Sequence, residues 1–512
     1  MSCHRRARLP LSSGVNCAMR QCPNQQVAYR FDLYRLSLGM HTCLIHAVTH
    51  RRTPALICLL VAGVLAAAGT GPAQAVPAGA PNAAHAALIA AKAYAYGLPL
   101  MEFERVRAEV SNTTCSGQGG DSTVNALGSS EHFMPPEART VVAPNVDTLY
   151  SMANLDLSRG PVVLSHPDMG DRYFSFQLMD PYTNVSAYVG SRTTGSAAGR
   201  YAISWSGNPE TVPGTETITV EHARIWLLGR TLAGDEADRR AAVEKMRQYN
   251  LTPPSGTSRS AMCDFGAATP IDQPEGVAWL DALSAALTRN PPPRRDAAQL
   301  DELAQIGVGP GLTVSRAGLS PAAHAAVDHA VRAAAAGVPE AAAIKQRTSA
   351  LQNHGWSVAP DNLGDYGTDY LTRAGVAEIG LGANTPEEAA YTPAFQGADL
   401  LPLDSRVSSY RLHFAPGQEP PVDAFWSVTA YDGDSYLYPN AQNRHSVSDS
   451  RPDLIRRPDG SIDIVFSHSR PADPGVNWLP VPDGPFRVYL RMYAPQASVL
   501  DHTWNPPGIE RY

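Results

Sequence analysis

Three stretches of the chain gather the side chains that could do chemistry. In "PNVDTLY" (144–150), Asn145, Asp147 and Tyr150 fall within six positions. In "QLMDPYTN" (177–184), Gln177, Asp180, Tyr182 and Asn184 fall within eight, followed by Arg192 in "GSRTTG". Toward the C-terminus, "YPNAQNRHS" and "NWLP" supply Asn440, Asn443, Arg444, His445, Asn477 and Trp478. Amides and guanidinium groups fix hydroxyls or an acid, and aromatic rings cover apolar faces, so this mix suits a polar small molecule or a carbohydrate. The residues expected to bind it are Asn145, Tyr150, Gln177, Tyr182, Arg192, Asn443, Arg444 and Trp478. Asp147 and Asp180 are the candidates for acid/base work, as in a carboxylate-dependent hydrolase or lyase. That chemistry needs one carboxyl raised and one kept ionised, at roughly 5–10 Å for glycoside cleavage. The same residue types also close turns by bonding their own backbone, so a purely structural role stays open beside both functional ones.

Other chemistries find no motif. There is no G-x-S-x-G elbow, no H-E-x-x-H helix, no Walker loop and no G-x-G-x-x-G after a strand. "GVGPG" (307–311) carries a proline that removes a donor a phosphate would need. His324 and Asp328 share a helix face, with His329 beside them, but two protein ligands do not make a zinc site, and no metal or cofactor is expected. "YDGDSY" lacks the later ligands of a calcium loop.

The elements that must position these residues follow from hydrophobic period. "HAALIAAKAYAYGLPLMEFERVRAEV" (85–110) has helical spacing. From 141 the period becomes two: in "RYFSFQLMD", Phe174, Phe176 and Leu178 share one face, and Tyr173, Ser175 and Gln177 the other. Such runs repeat to about 230, punctuated by Gly, Pro, Asn and Asp, as in an antiparallel sandwich. "DEADRRAAVEKMRQY" reads as a surface helix. Residues 274–356 are Ala-rich with helical period, and "YRLHF", "FWSVTAYD", "SIDIVFS" and "FRVYLRMYA" restore the strand pattern. The "PDG" before Ser461 marks a hairpin turn. In "FRVYLRMY", Val488, Leu490 and Met492 belong to a core, while Arg487, Tyr489, Arg491 and Tyr493 are expected on a wet surface, with the floor of an anionic-ligand groove as the alternative.

The fold class expected is therefore mainly β with helical decoration: two antiparallel β-sandwich-like domains joined by an Ala-rich helical connector. The divisions are 85–270, a connector at 271–395, and 396–512. Ahead of them, Arg51 and Arg52, an apolar run from Pro54 to Ala68 and Ala73-Gln74-Ala75 form a secretory signal (40–75). The run falls short of the roughly 20 residues that span a bilayer, so no transmembrane anchor is expected in the mature chain. Residues 1–39 read as an extension ahead of the true start at Met40. A secreted or periplasmic location follows from cleavage near Ala75. It suits Cys115 and Cys263, the two cysteines of the mature part, as a disulfide, with two separate buried thiols as the alternative. The net charge of −7, from 41 basic and 48 acidic side chains, offers no basic stripe for nucleic acid. Oligomeric state is not legible.

The segments "PNVDTLYSMANLDLSRGPVVLSHPD", "RYFSFQLMDPYTNVSAYVGSRTTG" and "WLLGRT" resemble domain of unknown function 1254. "LPLDSRVSSYRLHF", "PPVDAFWSVTAYD", "NRHSVSD", "NWLPVPDGPFRVYLRMYAP" and "TWNPP" are similar to its usual C-terminal companion, domain of unknown function 1214. The resemblance spans residues 85 to 512. It implies two β-rich domains in an exported protein, and it implies no activity and no catalytic residues.

Overall fold

The computed structural model describes residues 81–112, 114–115, 124–139, 141–254, 256–257, 260–265, 271–351 and 353–512, all within one compact unit. The expected start at Met40 and the signal ending at Ala75 lie outside the described residues.

The opening helix α1 (Ala83–Ser111) begins where Asn82 caps it, its side chain accepting from the His85 amide at 3.0 Å. Strands β1 (Thr114–Cys115), β2 (Leu127–Ser129), β3 (Thr148–Asp156), β4 (Val162–His166), β5 (Phe174–Met179), β6 (Val185–Gly190), β7 (Gly199–Trp205), β8 (Glu216–Val220) and β9 (Arg224–Leu232) follow. Then come α2 (Glu236–Met246), β10 (Asn250–Thr252) and β11 (Ser260–Asp264). These strands make two sheets, ordered β1-β11-β2-β3-β9-β5-β6 and β10-β4-β7-β8. The sheets close on Phe174, Phe176, Leu178, Leu227, Leu164 and Ile203, the side of "RYFSFQLMD" that its alternation assigns to a core. Helix α2 adds Ala242, Val243 and Met246 to that core and leaves its charged side in water. In β1 and β11 the register sets Cys115 opposite Cys263. Opposed residues of an antiparallel pair have Cα atoms about 4.5–5.5 Å apart, inside the range a disulfide spans.

Helices α3 (Val277–Arg289), α4 (Ala297–Ala304), α5 (Pro321–Ala350) and α6 (Tyr370–Gly380) come next. They fold back on α1 around Ile89, Tyr96, Phe103, Trp279, Leu283 and Val327. Gly97 makes the approach possible, because a Cβ there would stand 2.3 Å from the nearest methyl of Leu283. The helices between the two β regions are therefore a layer with its own core. That layer covers Met152, Met179, Trp226 and Leu228, on the outer side of the first sheet.

Strands β12 (Ala389–Ala394), β13 (Tyr410–Phe414), β14 (Val422–Asp432), β15 (Ser446–Ser448), β16 (Ile462–Ser467), β17 (Asn477–Pro480) and β18 (Phe486–Pro495), helix α7 (Ala497–Leu500) and β19 (Glu510–Arg511) complete the chain. They form two four-stranded sheets, β12-β18-β14-β15 and β17-β16-β13-β19, packed through Trp426, Val428, Leu490, Met492, Ile464 and Phe466. The turn before Ser461 forms with Gly460 at φ 88°. Strand β16, however, pairs with β13 and β17 rather than with the strand just before it, so the turn does not join a hairpin. The architecture is mainly β, with four mostly antiparallel sheets decorated by helices. Among the described residues no helix is long and apolar enough to cross a membrane.

Candidate functional site

The outer side of the first sheet has two covers. The helical layer takes one part, and the sheet containing β18 takes the other through Tyr173, Leu232, Phe425 and Tyr493. This overturns the expectation that Arg487, Tyr489, Arg491 and Tyr493 form a wet surface. Arg491 is 4% exposed and Tyr493 fully buried, because the N-terminal sandwich lies on that side of the strand.

"PNVDTLY" is the segment that lies there. Asn145 donates to Tyr493 Oη at 2.5 Å and accepts the Asp147 amide at 2.7 Å, so it serves its own turn and the opposite domain together. The Asp147 carboxylate accepts Ser427 Oγ at 2.5 Å and Ser446 Oγ at 3.0 Å. Arg491 donates to Thr429, to Tyr431 and to the Ala143 carbonyl, and Tyr431 donates to the Pro144 carbonyl. Burial pulls the Arg491 guanidinium down, and Tyr431, Tyr493 and Asp147 more than reverse it, so it stays charged.

Above Ser446 opens a cleft of about 350 Å³ between the sandwiches. Phe133, Met134, Pro135, Pro136 and Val146 of the N-terminal region give it an apolar wall, and Asn443, His445, Ser446 and Arg451 a polar one. Asp235, Glu236 and Arg239 sit at the start of α2 on its rim. Burial, reinforced by Arg451, pushes the His445 imidazole down to about 4. Its Nδ1 lies 3.4 Å from the Asn440 amide nitrogen and its Nε2 3.2 Å from Asn443 Oδ1. An amide NH₂ only donates, so Nδ1 accepts and Nε2 carries the hydrogen. Arg451 donates to Ser446 at 3.3 Å, which links the cleft to Asp147 beneath it.

A second polar assembly lies where the "DPYTN" turn meets the helical layer. Asp180 accepts the Tyr182 and Asn184 amides and the Asn184 side chain, with His222 Nδ1 at 3.8 Å. Burial pushes its carboxyl up, opposed by His222 and Asn184. Tyr182 donates to the Asn290 carbonyl at 2.8 Å. Beside them Arg373 is wholly buried, its guanidinium 5.0–5.5 Å from the rings of Tyr96, Tyr182 and Tyr370. These contacts hold the turn to α1 and α6.

The expected residues thus fall into separate groups. Asn145 and Asp147 underlie the interdomain cleft and Asn443 lines it. Arg444 turns to Asp453 at 3.4 Å. Gln177 and Arg192 work at the same junction: Gln177 accepts from Arg230, and Arg192 pairs with the buried Glu388, which also accepts from Tyr173. Tyr150 lies under the Arg230 guanidinium, 5.7 Å from ring to Cζ. Tyr182 belongs with Asp180 in the helical assembly, and those two have no partner in common with Asp147. Trp478 is in the far sheet, donating to the Ser467 carbonyl. The reading of clusters passed over Ser446, Arg451, Arg230, Glu388 and Arg373. For Arg230 the signal was present, since "WLLGRT" sets an arginine among apolar residues of strand period. Among the described residues no group of three or more His, Cys, Asp or Glu side chains could hold a metal ion.

Family models agree with this two-part construction. Protein of unknown function DUF1254 matches residues 124–253, and protein of unknown function DUF1214 matches residues 388–497. No curated protein matches. Among solved structures, the VPA0106 protein from Vibrio parahaemolyticus is 24% identical, with a TM-score of 0.60 over 83% of this chain and 100% of its own. An uncharacterized protein from Burkholderia cenocepacia is 13% identical over 89% of this chain and 94% of its own, with a TM-score of 0.40. The first of these likenesses is one of fold.

Proposed function

From the premise that the chain pairs DUF1254 with DUF1214 in that order, we propose that the protein binds a small polar or carbohydrate-like ligand in the cleft between the two. The observation that carries this is the cleft itself. About 350 Å³ lies at the low end of small-molecule sites, and its lining sets an apolar wall against a few convergent polar groups. The apolar wall suits a ring face, while Asn443 and Arg451 suit hydroxyl or acid oxygens. A catalytic pair of Asp147 and Asp180 gains no support, because each carboxylate is occupied by a different set of donors.

Gly234 lines the cleft, and a Cβ there would meet nothing closer than 3.5 Å, with Arg451 Cγ at 3.9 Å. Gly234→Leu therefore fills the cleft without breaking the fold. Native and denaturing mass spectra, together with calorimetric titration of a panel of mono- and disaccharides, test the reading. A co-purified mass or a titratable sugar that Gly234→Leu loses supports it. A ligand retained equally by that variant overturns it, as does the absence of any co-purified or titratable ligand.

The protein acts after export in this reading, with cleavage near Ala75 supported by the Arg51-Arg52 pair and the apolar run behind it. A Cys115–Cys263 disulfide suits such a compartment and is supported by their opposed register. An N-terminal sequence of the mature protein beginning far from Val76 would remove the export reading.

A further inference from the structure

Two rows of side chains, one from each domain, carry the same three residue types. Across the first sheet the register aligns Tyr150 with Arg230 and Arg230 with Ser175. Across the sheet of β18 it aligns Tyr391 with Arg491 and Arg491 with Ser427. Asn384 ties the rows together, accepting from Arg230 Nη1 at 2.9 Å and donating to Tyr391 Oη at 2.7 Å.

Neither arginine at the centre of these rows bonds directly to a carboxylate, and Asp147 acts on Arg491 only through space. The acceptors of Arg230 are Gln177 Oε1, Asn384 Oδ1 and the Gly382 carbonyl, all neutral. Arg491 likewise donates to neutral oxygens. Neither makes an ion pair among the described residues, although both are at most 5% exposed. A cation withdrawn from water with no anion bonded to it is costly, and an arriving carboxylate recovers part of that cost.

Donors are also left over. Tyr150 Oη has no hydrogen-bond partner among the described residues, and Tyr391 Oη accepts from Asn384 while its own hydrogen stays available. The Nε atoms of Arg230 and Arg491 also lack partners among the described residues, and none of these atoms is among the sealed, unsatisfied ones. Tyr150 and Tyr391 keep part of their surface accessible, although Leu149 and Ser151 on either side of Tyr150 are only 1% exposed.

We propose that these facing Tyr–Arg–Ser rows form a second site, distinct from the cleft, which takes the carboxylate of a small organic acid between Tyr150, Tyr391 and the two guanidinium groups. A planar carboxylate matches guanidinium and phenol donors better than a tetrahedral oxyanion, which calls for more donors around it. The tyrosine rings make an aromatic or otherwise flat acid the best fit.

Benzoate is the probe, with benzamide as its neutral counterpart and acetate and inorganic phosphate as alternatives, titrated into the whole protein by calorimetry. Benzoate binds and benzamide does not. Tyr150→Phe, which removes one hydroxyl with no structural partner, weakens benzoate about tenfold, as expected for one hydrogen bond to a charged group, and leaves the unliganded melting temperature in place. Gly234→Leu leaves benzoate affinity unchanged. Failure of benzoate and acetate to bind overturns the proposal, as does equal affinity in Tyr150→Phe, tighter binding of phosphate than of either carboxylate, or loss of binding in Gly234→Leu alone.

Discussion

Replacing Asp147 by Ala separates the two domains energetically at their most buried polar contact. The carboxylate accepts two serine hydroxyls from the C-terminal domain, at 2.5 and 3.0 Å, and all three residues are at most 3% exposed. A hydrogen bond to a charged group contributes about 1.5–3 kcal/mol, and a buried donor left unmet adds its own penalty, so Asp147→Ala costs about 4 kcal/mol. Ser427→Ala removes one of the two bonds and costs about 2 kcal/mol. A unit of roughly 450 residues unfolds with about 0.9 kcal/mol/K of entropy, so the first variant lowers the melting temperature by about 4 °C. The decisive number is the coupling. In urea denaturation of wild type, both single variants and the double variant, Asp147 and Ser427 show an interaction of about 1–2 kcal/mol. Additivity within about 0.4 kcal/mol would refute the reasoning, because residues that share no contact behave that way.

Gly97→Ala lowers stability by about 1–3 kcal/mol, although alanine favours helices, since the new methyl meets the wholly buried Leu283; thermal melting measures it. His445, held at about 4 in the fold, stays neutral while the unfolded chain takes up a proton below about 6.5. Its contribution is therefore intact above pH 6.5 and lost as pH falls toward 4, and His445→Gln flattens that part of the stability profile. Asp449 has the opposite sign: burial pushes its carboxyl up to about 6, so the unfolded chain ionises first and stability falls as pH rises from about 4 to 6. Asp449→Asn keeps the acceptor for the Trp426 amide and stabilises the protein by about 1–2 kcal/mol at pH 7 with no gain at pH 4, as paired urea titrations would reveal. A thiol titration of the unfolded, unreduced mature protein finds no reactive cysteine, and finds two after reduction.

Strand period was legible because it is local. Phe174, Phe176 and Leu178 face the core that their alternation assigns them. In "FRVYLRMY" alternation correctly separated Val488, Leu490 and Met492 from Arg487, Tyr489, Arg491 and Tyr493, yet gave the wrong environment for the second set. Period two says which residues share a side and is silent on what comes to cover it, and here the cover is a segment more than 300 positions away. For the same reason Asn145 and Asp147 were found as a cluster while Ser427 and Ser446 were not. A lone serine in a strand carries no mark of the carboxylate it will meet. Arg373 was hidden in an ordinary helical stretch, its role set by Tyr96 and Tyr182 from other elements together with Tyr370 of its own helix. Asp180 and Tyr182 bond the backbone of a turn and of the helical layer, contacts that their residue types permit as readily as a ligand.

The bond from Asn145 to Tyr493 joins positions 348 residues apart. A ribosome must therefore finish almost the whole polypeptide before the patch around "PNVDTLY" can find its lid. Until then the nascent first half carries a half-open polar and aromatic surface, and closing so long a loop is entropically slow. Truncation ahead of β18 should accordingly yield sticky, chaperone-dependent material rather than a smaller stable protein.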